Sequence, residues 1–435
     1  MIISPYLTYQ EVDEGKLVIL DSLNSQIYSV DSQNKYKVMQ YIENQQFDKV
    51  PKEMLVEGEK SELYEKLYND FLHTSDYIHL VILPTESCNF RCAYCYEPHK
   101  LIHMSLDVQN AIIEYVRENI RNYKALRVEW FGGEPLCKQD TVDYLSEKLM
   151  RICKEENKPY YASMTTNGYL LDLDTFKKMF YKNHIVKYQI TVDGLKDIHD
   201  QQRFLANGKG TFDVIVDNLR NIRDNISSRL FNIVIRCNIT RDIYDDFERY
   251  VCFLENEFSG DLRFEVLWKI AWNPVTLCGD VKVDGEMYCE QRELHNCLKK
   301  AGNLRFGVNR GQLMKYGNIC YASNKNSIVI GSDGTLYKCT VAFDKDINKV
   351  GHIQANGVLK LDEKKMRFWT ERKACMDAEK CKECSIYPSC LGLYCSLNNV
   401  DSNGKFVCAG MKSYLSDYLS QISKHRDYVR EWSNE

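Results

Sequence analysis

Between residues 78 and 268 the sequence alternates between short apolar or alternating runs and longer amphipathic ones, and this rhythm restricts the fold more than any other feature. Strand-like runs fall at 78–83, 126–130, 160–165, 186–192, 232–238 and 262–268. Between them, at 106–121, 141–154, 172–181, 212–224 and 244–257, apolar residues recur three and four apart, as one face of a helix requires. Strand and helix in strict alternation are the mark of βα units on a parallel sheet. Six units are fewer than the eight that close a full barrel, so the expected fold class is α/β, a partial, open (β/α)6 TIM-like barrel.

A chain of 435 residues exceeds the ~250 that one core usually serves, and further domains are expected on either side of the barrel. The expected division is 1–74, a small N-terminal module; 75–310, the barrel; 311–420, a cysteine-rich domain; and 421–435, a C-terminal helix or tail. In the first part, alternating runs at 16–20 and 26–30 precede a helical stretch at 36–42. From about Gly311, short turns and cysteines replace the alternation, which suggests a domain organised by metal more than by an apolar core.

A net charge of −4, with both signs spread along the chain, gives no electrostatic reason to bind nucleic acid or an anionic membrane. The start, Met1 to Pro5 followed soon by Glu11, Asp13 and Glu14, lacks the basic and apolar parts of a secretory signal. No apolar run approaches the ~20 residues of a membrane helix. A soluble, cytoplasmic protein is expected. In a reducing cytosol the 18 cysteines point to metal or redox chemistry and away from a disulfide framework. Three of them lie within 88–95 and eight within 320–408.

Cys88, Cys92 and Cys95 follow directly on the first barrel strand, so their C-x3-C-x2-C spacing falls on the first loop at the end where such barrels carry their chemistry. Three thiolates leave one iron of a [4Fe–4S] cluster open to a ligand, where four would close it. The alternative is zinc, but a structural zinc site takes four ligands and no fourth is evident. Later strand ends carry further polar motifs: Gly132-Gly133-Glu134, Thr165-Thr166-Asn167-Gly168 and Thr191-Val192-Asp193-Gly194. Glycines allow close backbone approach, Glu134 can accept from a ligand ammonium, and the hydroxyl and amide groups suit a ribose or carboxylate. Taken singly, each is also ordinary turn chemistry.

On these residues the stretch 77–268 resembles the radical SAM superfamily. The resemblance implies a cluster on Cys88, Cys92 and Cys95 whose open iron is chelated by S-adenosylmethionine (SAM). An electron from it then splits the sulfonium, giving methionine and a 5′-deoxyadenosyl radical. It also implies SAM contacts from Tyr94, Gly132, Gly133, Glu134, Thr166, Asn167, Asp193, Arg203 and Asn238, and an electron donor such as flavodoxin or ferredoxin.

Downstream stand Cys320, then Gly334-x4-Cys339, then Cys381-x2-Cys384-x5-Cys390, Cys395 and Cys408. This series resembles the SPASM extension, an iron–sulfur domain carrying two auxiliary [4Fe–4S] clusters in enzymes that modify peptides or proteins. Cys390 and Cys395 are separated by four residues where the usual pattern has three. The resemblance implies an outer cluster on Cys381, Cys384, Cys390 and Cys408, and an inner one on Cys320, Cys339 and Cys395. With three thiolates the inner one either takes a fourth ligand such as Cys297 or Cys289, or keeps an iron open to a substrate thiolate. The alternative for these cysteines is a zinc ribbon. Cys137, Cys153, Cys237, Cys252, Cys278 and Cys375 are read as buried, inert thiols.

In peptide-maturing members a small winged-helix-like N-terminal module grips the leader of a ribosomally made precursor, commonly by adding it to a sheet edge. The chain thus resembles ribosomal-peptide maturases such as the thioether-forming sactipeptide and ranthipeptide synthases. The expected partner is a precursor peptide and the expected product a cysteine thioether. Formylglycine formation, as in anaerobic sulfatase maturation, and a non-catalytic zinc-stabilised binding protein are the alternatives.

Overall fold

The computed structural model describes residues 1–74, 76–271, 297, 310–371, 379–393, 395–397, 415–425 and 428–432. They fall into two units, Met1–Thr74 with Val308–Asn324 and Thr370–Glu435, and Ser75–Gly307 with Lys325–Trp369.

The first unit starts with β1 (Ile2–Ile3), then a meander of β2 (Leu7–Glu11), β3 (Leu17–Asp21) and β4 (Gln26–Val30), each antiparallel to the next. Helix α1 (Lys35–Glu43) lays Val38 and Ile42 on Leu17, Ile19, Tyr28 and Val30. After β5 (Leu55–Val56), which pairs with β1, helix α2 (Lys60–Leu72) begins at a capping box between Glu59 and Glu62. Sequence reading finds β3, β4 and α1 but misses β2, whose Leu7-Thr-Tyr-Gln-Glu is too polar to read as a strand.

In the second unit six strands run parallel and in chain order: β6 (Tyr77–Ile82), β7 (Ala125–Trp130), β8 (Tyr160–Thr166), β9 (Ile185–Thr191), β10 (Asn232–Ile239) and β11 (Phe264–Ile270). Alternate side chains share a face. One set, including Ile78, Leu80, Ile82, Leu126, Val128, Trp130, Ile233, Ile235 and Trp268, is buried. Connecting helices supply its cover: α3 (Leu106–Asn119), α4 (Gln139–Glu155), α5 (Leu173–Lys177), α6 (Lys196–Gln202), α7 (Phe212–Asn225), α8 (Arg241–Asp245) and α9 (Phe247–Phe258). In α4 the buried Val142, Leu145, Leu149 and Ile152 repeat at the spacing of one helix face, and each large aliphatic so buried contributes about 1.5–3 kcal/mol. The opposite set of strand residues, among them Arg127, Glu129, Ser163, Thr165, Lys187, Gln189, Arg236 and Lys269, stays polar and partly open. This is the parallel α/β sheet expected of a partial barrel.

The sheet does not stop at β6. Residues Ser327–Ile330 form β12, parallel to β6, and β13 (Thr335–Tyr337), β14 (Lys349–Ile353) and β15 (Leu359–Leu361) follow antiparallel, making ten strands in all. Ser327-Ile-Val-Ile is buried at every position and covers the edge that β6 would otherwise leave unpaired. The stretch 311–420 is therefore not one domain. Its part Lys325–Trp369 belongs with the barrel sheet, and the rest packs with the N-terminal module.

The tail also departs from expectation. After a helix at Leu415–Ile422, residues Arg430–Glu431 form a strand, β16, parallel to β4. Trp432 then enters the N-terminal core with its ring 5.7 Å from that of Tyr28, so burial of one large side chain anchors β16.

Candidate functional site

The loop after β6 is held first by backbone. Thr85 Oγ1 accepts from Ser87 N at 3.0 Å, and Glu134 N donates to Ser87 O at 3.0 Å, which brings the loop after β7 onto the loop after β6. Glycine is required there. A Cβ on Gly133 would stand 2.3 Å from Ser87 O, and Gly132, at φ +93°, has Thr85 O 2.6 Å from where its Cβ would be.

Cys88, Cys92 and Cys95 are half-buried free thiols on this one loop. Cys88 Sγ accepts from Phe90 N at 3.4 Å, and His99 Nε2 lies 3.2 Å from Cys95 Sγ. Burial pushes the Cys95 thiol up to about 12 and raises Cys88 and Cys92 as well. Among the described residues no three His, Cys, Asp or Glu groups converge on a single metal ion. Soft thiols on one loop, one of them accepting a backbone N–H bond, fit an iron–sulfur cluster.

Glu134 differs from its sequence reading. It is fully buried: Oε1 accepts from Thr166 Oγ1 at 2.7 Å and Leu136 N at 3.0 Å, and Oε2 accepts from Asn167 N at 2.7 Å. The carboxylate therefore ties the loop after β7 to the end of β8. Burial raises its pKa, and the bonds from Asn167, Thr166 and Leu136 oppose the rise. Asn167 Nδ2 donates to Asn89 Oδ1 at 2.7 Å and approaches Cys88 Sγ at 3.9 Å, carrying the tie to the cysteine loop.

A second network grips the other side of the loop. The Tyr94 hydroxyl donates to Asp193 Oδ2 and receives Arg203 Nη1 at 2.7 Å and Asn238 Nδ2 at 3.2 Å. Asn238 N donates to Asp193 Oδ1 at 2.6 Å. Asp193 is fully buried, and burial raises its pKa against the opposing charge of Arg203, 3.8 Å away. Tyr94, Asp193, Arg203 and Asn238, which come from four separate segments, thus meet at one point.

Two partners escape sequence reading. His199 Nδ1 accepts from Asp193 N at 3.1 Å, and its Nε2 lies 3.1 Å from Thr211 Oγ1, which donates to Arg203 O at 2.6 Å. Because a backbone N–H must donate, Nδ1 is the bare nitrogen and the proton sits on Nε2. Burial holds this histidine well below its usual pKa. The i, i+4 spacing of His199, on α6, and Arg203, the residue that ends it, is the available signal.

The polar face of the sheet carries an open cleft of about 420 Å³ lined by His79, Arg127, Tyr161, Ser163 and Lys187 among others. Here His79 Nε2 is 3.8 Å from Glu129. Burial, with Arg127 and Lys338 nearby, holds His79 down to about 4.

The later cysteines divide between the units. Cys339 follows β13 in the barrel unit, where Asn348 clamps it through Cys339 N to Asn348 Oδ1 at 2.8 Å and Asn348 Nδ2 to Cys339 O at 2.8 Å. Cys320, Cys381, Cys384, Cys390 and Cys395 lie in the other. There Cys320 N donates to Leu393 O at 3.0 Å and Asn318 N to Ser389 O at 2.9 Å, which lays the Cys320 segment along the run from Cys390 to Cys395. The same run rests on the N-terminal module: Tyr387 stacks on Tyr64 at 4.3 Å, and Ser22 Oγ donates to Ser385 O at 2.7 Å. Cys297 is buried in the barrel unit, close enough to Cys237 to raise its pKa further. Cys408, Cys289, Cys278 and Cys375 lie outside the described residues. Cys153 and Cys237 are buried as expected of inert thiols, but Cys137 and Cys252 are exposed.

Residues 82–251 match the family model of the radical SAM superfamily. The chain is 24% identical over 378 residues to a cysteine-type anaerobic sulfatase-maturating enzyme of Clostridium novyi, covering 79% of this chain and 96% of that protein. Among solved structures it resembles anSMEcpe with bound AdoMet and Cp18Cys peptide, with a TM-score of 0.58, 20% identity, and coverage of 80% and 96% of the two chains. Streptococcus suis SuiB bound to its precursor peptide SuiA gives a TM-score of 0.52 at 15% identity over 94% and 99%. At such identities the structural likenesses speak for the fold.

Proposed function

Starting from a chain that carries a radical SAM domain, we propose that it is a peptide maturase whose Cys88, Cys92 and Cys95 hold a SAM-binding [4Fe–4S] cluster. The observation that carries this reading is the convergence of two buried hydrogen-bond networks, from the ends of β7 to β10, on the loop that bears these three cysteines. When bound, the cluster supplies the electron that cleaves SAM. The protein's part is to keep the loop in one shape and out of bulk water. Glu134 and Asn167 hold its Cys88 side, Asp193 and Arg203 its Tyr94 side, and on this reading Asn167, Asn238 and Arg203 would also orient SAM. Auxiliary clusters would draw on Cys320, Cys339 and Cys395, and on Cys381, Cys384, Cys390 and Cys408.

The substrate we infer is a ribosomally made peptide, and the product a cysteine thioether. SuiB, which the fold resembles, was solved with a precursor peptide, and the sulfatase-maturating relative acts on a protein cysteine by its name. Residues 1–74 would bind the leader, using the β2 edge of the meander. In the crosslink a carbon gives up its hydrogen to the deoxyadenosyl group and the thiol gives up its proton. The remaining electron passes to a one-electron acceptor of the iron–sulfur class, and a C–S bond forms. Incubating the anaerobically purified protein with SAM, a reductant and a cysteine-bearing precursor should yield 5′-deoxyadenosine and a peptide lighter by two hydrogens, with one cysteine no longer alkylatable. The coverage of the sulfatase-maturating relative favours one second reading, oxidation of a cysteine to formylglycine. In that case the product loses its sulfur, and the same mass spectrum decides.

A further inference from the structure

Partly buried arginines of the barrel unit are neutralised as a rule. Arg203 faces Asp193, Arg220 and Arg223 share Glu257, and Arg263 is held by Asp261. Arg236 and Lys269 are the exception. Both belong to the polar face of the sheet, because alternate residues of β10 and β11 point that way while Ile235, Cys237, Trp268 and Ile270 are buried against the helices. The parallel register sets Lys269 beside Asn238, which bonds to Tyr94 and Asp193, so the lysine stands at the cysteine-loop end of this face. Arg236 Nε donates to Asn238 Oδ1 at 2.9 Å, one residue lower on the same side.

Among the described residues neither cation is in an ion pair. Two like charges on diagonal positions of neighbouring strands and partly out of water are unfavourable unless an anion joins them. Burial and the charge of Arg236 accordingly hold the Lys269 amine down to about 8. A carboxylate arriving between the two would gain a charge-assisted bond from each and relieve their repulsion.

We propose that Arg236 and Lys269 form a carboxylate-binding element that receives an acidic side chain of the peptide substrate beside the reacting end of the barrel. This deepens the peptide-maturase reading and rests on it. It restricts the substrate class to peptides with Asp or Glu close to the modified residue. The SAM carboxylate offers the same chemistry from another source, so the test must separate the two.

The anaerobically reconstituted holoenzyme is titrated with short fluorescein-labelled, cysteine-containing peptides, one carrying Asp and Glu and the other Asn and Gln at the same positions. SAM affinity is measured alongside by equilibrium dialysis. Wild type should bind the acidic probe about tenfold more tightly, the scale of one charge-assisted hydrogen bond. Lys269→Met and Arg236→Gln should each bring that preference close to parity with SAM affinity unchanged within about twofold, and Lys269→Arg should keep most of it. Equal binding of the two probes by wild type, or a preference that survives both substitutions while SAM affinity falls, would overturn the assignment. If neither probe binds yet SAM still yields deoxyadenosine, this inference fails alone. If no deoxyadenosine forms, the maturase reading fails with it.

Discussion

Two cysteine-rich stretches of this chain are built in opposite ways. The loop carrying Cys88, Cys92 and Cys95 is braced by side chains from four neighbouring strand ends, with Glu134 and Asp193 buried at the two anchor points. Cys381, Cys384 and Cys390 sit instead on two four-residue helices, Glu379–Lys382 and Tyr387–Cys390, and on the turn between them. Helices that short have almost no stability of their own. The first site is shaped by the fold before any cofactor arrives. The second relies on Tyr6 and Tyr64 packing against Tyr387 and, on our reading, on metal.

This contrast breaks most sharply on cysteine substitution. Cys88→Ala should reduce deoxyadenosine formation to background while leaving the melting temperature nearly unchanged, because the loop keeps its protein partners. Cys384→Ala should do the reverse, lowering the melting temperature by about 5 °C or more and sparing SAM cleavage. Deoxyadenosine by chromatography and a thermal melt read both effects. Similar melting losses from both substitutions would erase the distinction.

The next largest effect is expected at the Asp193 anchor. Arg203→Met leaves a buried carboxylate without its counter-charge, a loss of about 3–5 kcal/mol, while Asp193→Asn with Arg203→Met together should recover part of it. At the other anchor Thr166→Val removes one of three donors to Glu134 and should cost about 1–3 kcal/mol. Denaturant midpoints give these values, and SAM affinity should fall in the same order. A Thr166→Val loss exceeding that of Arg203→Met would show that Glu134 is the stronger anchor.

Legibility in the sequence follows the same divide. All six barrel strands and the cysteine loop were readable because each depends on local spacing: period two, period near 3.6, and three cysteines within eight residues. What escaped depends on pairing at a distance. Ser327–Ile330 completes the barrel sheet from far along the chain, Ile330 pairing with Ile82 across 248 residues, and nothing in Ser-Ile-Val-Ile names that partner. Glu134 looks available to a ligand in the sequence because its donors, Thr166 and Asn167, lie at the end of the next strand. Trp432 looked like part of a tail because a lone tryptophan carries no period.

The smallest predicted effect concerns His199, the brace at Asp193 that spacing alone did not reveal. In the fold it is neutral, since Nδ1 must accept the Asp193 N–H, whereas the unfolded chain takes up a proton near pH 6.5. The unfolded state therefore binds more protons, and stability must fall as pH drops below about 6.5, by at most about 1.4 kcal/mol per pH unit for this group. His79, held down to about 4, acts in the same direction until the fold protonates it too. Glu134 and Asp193, raised by burial, act in the opposite sense at lower pH. The His199 share is isolated by difference: denaturant midpoints of wild type and His199→Gln between pH 7.5 and 5.5 should converge as pH falls, because the variant has no proton to gain there. Parallel curves would mean that the fold leaves the His199 pKa where the unfolded chain has it, and curves that diverge as pH falls would mean that His199 is charged in the fold; in either case the bond from Asp193 N would have to be reassigned.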